Sequence, residues 1–234
     1  MSTPITTIGF DADDTLWQNE QFFQLTQERF AELLAEFAEP DHLMERLLAA
    51  ERRNLGHYGF GIKGFVLSMI ETALEVTEHK VPGEVIAELL AAGQEMLQHP
   101  IHLLPHVGET VATLAAEFEL VLITKGDLLD QERKLAQSGL GEFFDAVEIV
   151  SDKTPATYAR AFAKAPHGPA GAMMVGNSLK SDVLPALAAG AFAVHVPHDL
   201  TWVLEQAESP KGAHRFFELP DLGGLPGLIE GLRR

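Results

Sequence analysis

Five short apolar runs punctuate the chain: ITTIGF (5–10), ELVLIT (119–124), AVEIV (146–150), AMMVG (172–176) and AFAVHVP (191–197). Their near-continuous apolarity predicts strands buried on both faces of a sheet. From the second run onward they are separated by single amphipathic stretches, LDQERKLAQSGL, ATYARAFAKA and DVLPALAAG. Strands alternating with single helices predict an α/β fold, a mainly parallel sheet covered by helices.

The gap between the first two runs is far too long for one crossover helix, and its pattern changes period. Phe22, Phe23, Phe30, Leu33, Leu34 and Phe37 share one helical face, and Ile62, Phe65, Val66, Met69, Ile70, Ala73 and Leu74 recur at helical spacing. Pro82 is placed to start a further helix through GEVIAELLAAGQEML. An all-helical insertion is therefore expected over residues 18–100, dividing a core made of 1–17 and 101–234. Its most irregular part is NLGHYGFGIKGF (54–65), where Lys63 is a candidate for a second anionic group of a ligand. Pro100 and Pro105 interrupt the return to the core, and the tail HRFFELPDLGGLPGLIEGL reads as a last short strand and a surface helix.

Charge narrows the function classes. A formal net charge of −17 argues against nucleic-acid or acidic-membrane partners, which need a basic footprint. A phosphorylated metabolite remains compatible if a divalent cation and a few lysines make the site locally positive. There is no cysteine, so thiol chemistry is excluded. The opening MSTPITTIGF lacks the pattern of a secretory signal, and no apolar run approaches a membrane span, so a cytoplasmic location is expected.

Ligands of open parallel sheets bind beyond the carboxyl ends of the strands, and the unusual polar residues gather there. The first strand ends in Asp11-Ala12-Asp13-Asp14-Thr15, the second in Thr124-Lys125-Gly126-Asp127. The third leads into Asp152-Lys153-Thr154-Pro155, and the fourth opens GNSLKSD, Gly176 to Asp182. Three aspartates within four residues repel one another unless something positive sits among them.

These four signals, in this order, resemble the haloacid dehalogenase (HAD) superfamily, specifically its phosphatase branch with a helical cap inserted after the first strand. The resemblance implies a Rossmann-like core with strand order 3-2-1-4-5. It implies Asp11 as nucleophile, forming an aspartyl-phosphate that splits hydrolysis into two easier steps. Asp13 would protonate the leaving oxygen and then activate water. Thr124 would bind a phosphoryl oxygen, helped by the backbone N–H groups of Lys125 and Gly126, while Lys153 neutralises developing charge and orients Asp11. Mg²⁺ would be held by the Asp11 carboxylate, the Asp13 carbonyl and the fourth motif.

That fourth motif departs from the commoner form. Asn177 stands where Asp is usual, and Asp182 follows five residues later. Either Asn177 binds Mg²⁺ more weakly through its carbonyl oxygen, or Asp182 carries more of the metal binding. Thr154 also intervenes before Pro155, where many relatives have Pro directly after the lysine. Asp14 is read as a turn residue and Asp127 as a helix cap; Lys125 and Lys180 either add positive potential at the mouth of the site or are solvated side chains. His99, His102 and His106 are kept from one helix face by the two prolines, and a zinc site at His195 and His198 is a remote alternative.

The resulting expectation is an Mg²⁺-dependent phosphatase of a small phosphorylated metabolite. Two alternatives on the same fold are a 2-haloacid dehalogenase and a phosphomutase; a non-catalytic binding protein is a third. A departing halide needs no proton, so Asp13 favours the phosphatase, whereas Asn177 leans toward the dehalogenase.

Overall fold

The computed structural model describes residues 3–233; positions 1, 2 and 234 of the expected core ranges lie outside the described residues. The apolar runs form β1 (Thr7–Phe10), β2 (Glu119–Lys125), β3 (Ala146–Val150), β4 (Ala172–Gly176) and β5 (Phe192–His195), and the tail adds β6 (Phe216–Glu218). All neighbours pair in parallel, in the order β3-β2-β1-β4-β5-β6. The expected 3-2-1-4-5 order is therefore present, with β6 extending one edge. In register, Phe10 lies opposite Leu122 of β2 and Val175 of β4. The carboxyl end of the central strand thus opens between two others.

The chain falls into two compact units. One, Glu20–Pro100 with Gly126–Asp130, is helical: α1 (Glu20–Leu33), α2 (Pro40–Tyr58), α3 (Ile62–Val76) and α4 (Gly83–Gln98). Phe30, Leu34, Leu43, Leu47, Phe65, Met69 and Leu89 form its core. Two details differ from expectation. Phe37 is 40% exposed, because α1 ends at Leu33 and its periodicity does not extend that far. The segment 54–65 is mostly helical: α2 runs through Tyr58 and is closed by Gly59, whose φ of 74° lets its N–H reach Leu55 O.

The other unit runs through Asn19, then takes Ile101–Lys125 and the chain from Gln131 onward. Beside the sheet it contains α5 (Val107–Ala115), α6 (Leu128–Ser138, from Gln131), α7 (Pro155–Ala161), α8 (Leu184–Ala188) and α9 (Leu225–Leu232). Side chains alternate along the strands. Leu120 and Leu122 join Phe10, Val175 and the α5 residues Val111 and Leu114, while Val121 and Ile123 join Met174, Tyr158 and Phe162. Both faces are buried, which is why the runs read as continuously apolar. The tail helix is not merely a surface element: Leu225 and Ile229 of α9 are buried in the α5 layer. Among the described residues no helix is long and apolar enough to cross a membrane.

Candidate active site

The turn after β1 is built to display carboxylates. Asp11 N donates to Val175 O at 2.9 Å, tying the strand end to β4. The chain then coils around Ala12, whose carbonyl accepts from Leu16 N at 2.8 Å, while Ala12, Leu16 and Trp17 are buried. Asp14 takes the left-handed conformation (φ 59°), which Asp tolerates better than most residues, and its Oδ1 accepts from Asn19 N at 2.8 Å. Asp14 thus holds the turn, while Asp11 and Asp13 enter two separate networks.

Lys153 organises the first network. Its ammonium pairs with Asp11 Oδ1 and lies 2.7 Å from Asp182 Oδ1, with all three side chains buried. Asp182 Oδ2 accepts from Ser178 N at 2.9 Å, and Tyr158 donates to Ser181 O at 2.9 Å beside it. Both oxygens of Asp182 are therefore taken by protein donors. The residue between Lys153 and Pro155 shapes the next helix. Thr154 caps α7, its Oγ accepting from Thr157 N, with Pro155 in the first turn.

Thr15 links Asp11 to the fourth strand. Its hydroxyl accepts from Asn177 N at 3.0 Å and lies 3.1 Å from Asp11 Oδ2 and 3.3 Å from Asn177 Oδ1. His195 Nε2 donates to Asn177 O at 3.1 Å, holding that backbone from β5. Asp13 belongs to the second network. Its carboxylate accepts from Trp17 Nε1 (2.8 Å), Gln131 Nε2 (2.8 Å) and Lys134 Nζ (2.9 Å).

Thr124 is buried at the end of β2, its hydroxyl 3.3 Å from Lys125 O. Lys125 is not a solvated side chain: its ammonium lies 2.5 Å from Glu205 Oε1 and 2.7 Å from Ser181 Oγ. Glu205 also accepts from Ser178 Oγ at 2.6 Å, and Lys180 donates to Leu204 O at 2.6 Å. The segment after β5 is thereby fastened to the π-helical turn Leu179–Val183. Gly126 follows at φ 135°, a region that only glycine adopts without strain. Lys63 lies in the first turn of α3 in the helical unit, where it pairs with Asp127 at 2.8 Å. Asp127 is thus an ion-pair partner rather than only a cap.

Burial, reinforced by Asp182, pushes the Asp11 carboxyl up from 3.8 to about 7 against the pull of Lys153. Burial would also raise Asp13, but the Lys134 ammonium and the hydrogen bonds from Lys134, Gln131 and Trp17 outweigh it and hold Asp13 below its ordinary value. Burial disfavours the charged Lys153, yet Asp11 and Asp182 together hold its pKa above that of a free lysine. Burial pushes Tyr158 well up, with Asp182 adding to it.

The donor set suits a hard cation. Asp11 Oδ2 and Asn177 Oδ1 converge on one hydroxyl from different strands, and every candidate ligand atom is oxygen. Among the described residues there is no cluster of three or more His, Cys, Asp or Glu arranged to hold a metal, the histidines included. Thr15, Tyr158, Ser178, Gln131, Lys134 and Glu205 all enter these networks, although no role for them followed from sequence. Only Thr15 carried a signal, as the last residue of the DxDxT pattern.

The comparisons agree with this geometry. A model of haloacid dehalogenase-like hydrolases matches residues 5–190. A haloacid dehalogenase-like family hydrolase from Xanthomonas campestris is 38% identical, with 99% of this chain and 97% of that one covered, at a TM-score of 0.87. A HAD-type hydrolase from Bacillus subtilis, bound to magnesium, is 16% identical over 97% of this chain and 99% of its own (TM-score 0.67). L-2-haloacid dehalogenase from Xanthobacter autotrophicus, with chloropropionic acid covalently bound, is 19% identical over 97% and 99% (TM-score 0.67). At such low identity the last two speak for the fold alone. Among curated proteins no match is found. The strand order, the motif residues gathered at the strand ends and the family model together place this chain in the haloacid dehalogenase-like hydrolase family.

Proposed function

We propose that this hydrolase is an Mg²⁺-dependent phosphatase of a small phosphorylated metabolite, with Asp11 as nucleophile. The observation that carries the reading is Asp13, a second carboxylate two residues past the nucleophile, fixed by three donors from Trp17, Gln131 and Lys134. A halide departs without a proton, so dehalogenation has no use for such a group. An alkoxide does need one.

A carboxylate oxygen of Asp11 attacks phosphorus in line, and the bond to the ester oxygen breaks as that oxygen takes a proton from Asp13. Water then attacks the aspartyl-phosphate and gives its proton to Asp13. The Asp11–phosphorus bond breaks, releasing phosphate. Lys153 orients Asp11 and offsets charge, and Thr124 with the N–H groups of Lys125 and Gly126 binds phosphoryl oxygens. Mg²⁺ would be held by the Asp11 carboxylate, the Asp13 carbonyl and Asn177, and when bound would neutralise phosphoryl charge. Asp182, whose Oδ1 pairs with Lys153 and whose Oδ2 accepts from Ser178 N, holds Lys153 in place.

Residues 18–100 are assigned as a cap that excludes water and selects the substrate. In it Lys63, 56% exposed, is the candidate for a second anionic group of the ligand. Phosphate release from p-nitrophenyl phosphate should require Mg²⁺ and vanish in Asp11→Asn; activity that survives either change sinks the reading. Asn177 favours the dehalogenase as a second reading. Chloride release from 2-chloropropionate, with ester turnover intact in Asp13→Asn, would establish it. Retention of the phosphoryl group until a second substrate accepts it would mark a phosphomutase.

A further inference from the structure

Gln131 and Lys134 lie three residues apart on one face of α6, and both are buried although neither is apolar. An unpaired buried lysine is costly, and Lys134 is paired, among others, with Asp13 Oδ1 at 2.9 Å and with Asn19 Oδ1 at 2.8 Å. Gln131 Nε2 donates to Asp13 Oδ2 at 2.8 Å and to Lys125 O at 3.2 Å. Its own Oε1 is left buried without a hydrogen-bond partner. Turning the amide over would set an oxygen against two acceptors, so Gln131 keeps an orientation that costs it one bond and serves Asp13.

A carboxylate oxygen offers two lone-pair sites. Trp17 Nε1 and Lys134 Nζ fill both on Oδ1, while Gln131 fills one on Oδ2. Oδ2 alone keeps a free site.

We infer that Oδ2 is the atom of Asp13 that gives and takes the proton, and that Lys134 and Gln131 are the positioning residues that present it. This rests on the phosphatase reading. In the first step the proton passes from Oδ2 to the departing ester oxygen as the phosphorus–oxygen bond breaks. In the second, Oδ2 accepts the proton of the attacking water.

The test compares two esters by kcat/KM, which reports the step that expels the alcohol. p-Nitrophenolate leaves without help; the alkoxide of glycerol 2-phosphate requires the proton. Lys134→Met should lower kcat/KM for glycerol 2-phosphate about tenfold or more beyond its effect on p-nitrophenyl phosphate. Gln131→Met, which leaves the Lys134–Asp13 ion pair in place, should show the same selective loss, and Lys134→Arg should restore part of it. Equal losses on both esters, in a chain whose unmodified form hydrolyses both, would mean a merely structural role and overturn the assignment alone. Hydrolysis of neither ester by the unmodified chain with Mg²⁺ would instead remove the phosphatase reading and the assignment with it.

Discussion

Lys153 Nζ lies 2.7 Å from Asp182 Oδ1 while the same ammonium pairs with Asp11, so one buried lysine serves two buried carboxylates. One net negative charge remains in a place that burial makes unfavourable for it. This is why the Asp11 carboxyl rises to about 7. A carboxyl whose folded pKa lies above its unfolded value binds its proton more tightly when folded. Its contribution to stability is therefore present below about pH 4 and lost as pH rises toward 7. Asp11→Asn does not titrate, and Asp182 keeps Lys153 paired in it. Without metal, the variant should melt above the unmodified chain at pH 8, by several degrees at roughly 2–4 °C per kcal/mol, and the gap should close toward pH 5. Thermal unfolding monitored by circular dichroism at the two pH values checks this; a variant that melts lower at pH 8 contradicts it.

On the Mg²⁺-dependent reading proposed above, the same proton competes with the cation. Mg²⁺ binding through Asp11 requires the carboxylate, so apparent affinity should fall up to about tenfold per pH unit below 7 and level off above it. Asn177→Asp adds a formal charge beside Asp11 and should tighten Mg²⁺ while lowering metal-free stability. Isothermal titration calorimetry between pH 6 and 8 measures both effects. An affinity independent of pH would show that Asp11 is not a ligand.

The parts of this molecule legible in sequence were those with a period or a motif. The apolar runs show as strands because both faces of the sheet are buried, and Asp11, Asp13, Thr124 and Lys153 are marked by their places behind such runs. Gln131 and Lys134 could not be found that way. In LDQERKLAQ they sit beside Glu132 and Arg133, and nothing but folding distinguishes the face that meets Asp13. Glu205 lies in a stretch without periodicity, and its side chain is fastened by long-range bonds to Lys125 and the Ser178–Ser181 turn. Asp182 was visible as an acid, but its engagement by Lys153 and Ser178 N, which sets it apart from Asn177, emerges only in three dimensions.

Glu205 is held below its ordinary pKa because, although burial would raise it, Lys125 and two serines outweigh the burial. A carboxyl lowered on folding contributes stability above its unfolded value of about 4.5, and that stability is lost as pH falls through its folded value. Glu205→Ala removes the carboxylate that faces the Lys125 ammonium and the hydroxyls of Ser178 and Ser181. A loss of about 2 kcal/mol at pH 7 is expected, below the 3–5 of a fully buried pair because both partners retain some exposure. Glu205→Gln keeps acceptors for the serines and should lose less. Urea denaturation at pH 7 and pH 4 checks the order and its shrinkage in acid; equal losses at both pH values would refute the ion pair's part.

In the helical unit, α3 and α4 approach each other at Gly93, where an added Cβ would collide with Val66 Cγ2. Gly93 is buried in mid-helix, where alanine would ordinarily be favoured by about 1 kcal/mol. The contact reverses that preference, since interiors this closely packed cannot absorb a methyl without moving a helix. Gly93→Ala alone should destabilise by about 1–3 kcal/mol. Val66→Ala alone should also destabilise, through lost burial. Together they should cost less than the sum, because the methyl added at Gly93 occupies space that Val66 vacates. A double-mutant cycle in urea reads this as a favourable coupling of roughly 1 kcal/mol or more. Strict additivity would mean that the helices separate freely at this point and that the close approach is not what selects glycine there.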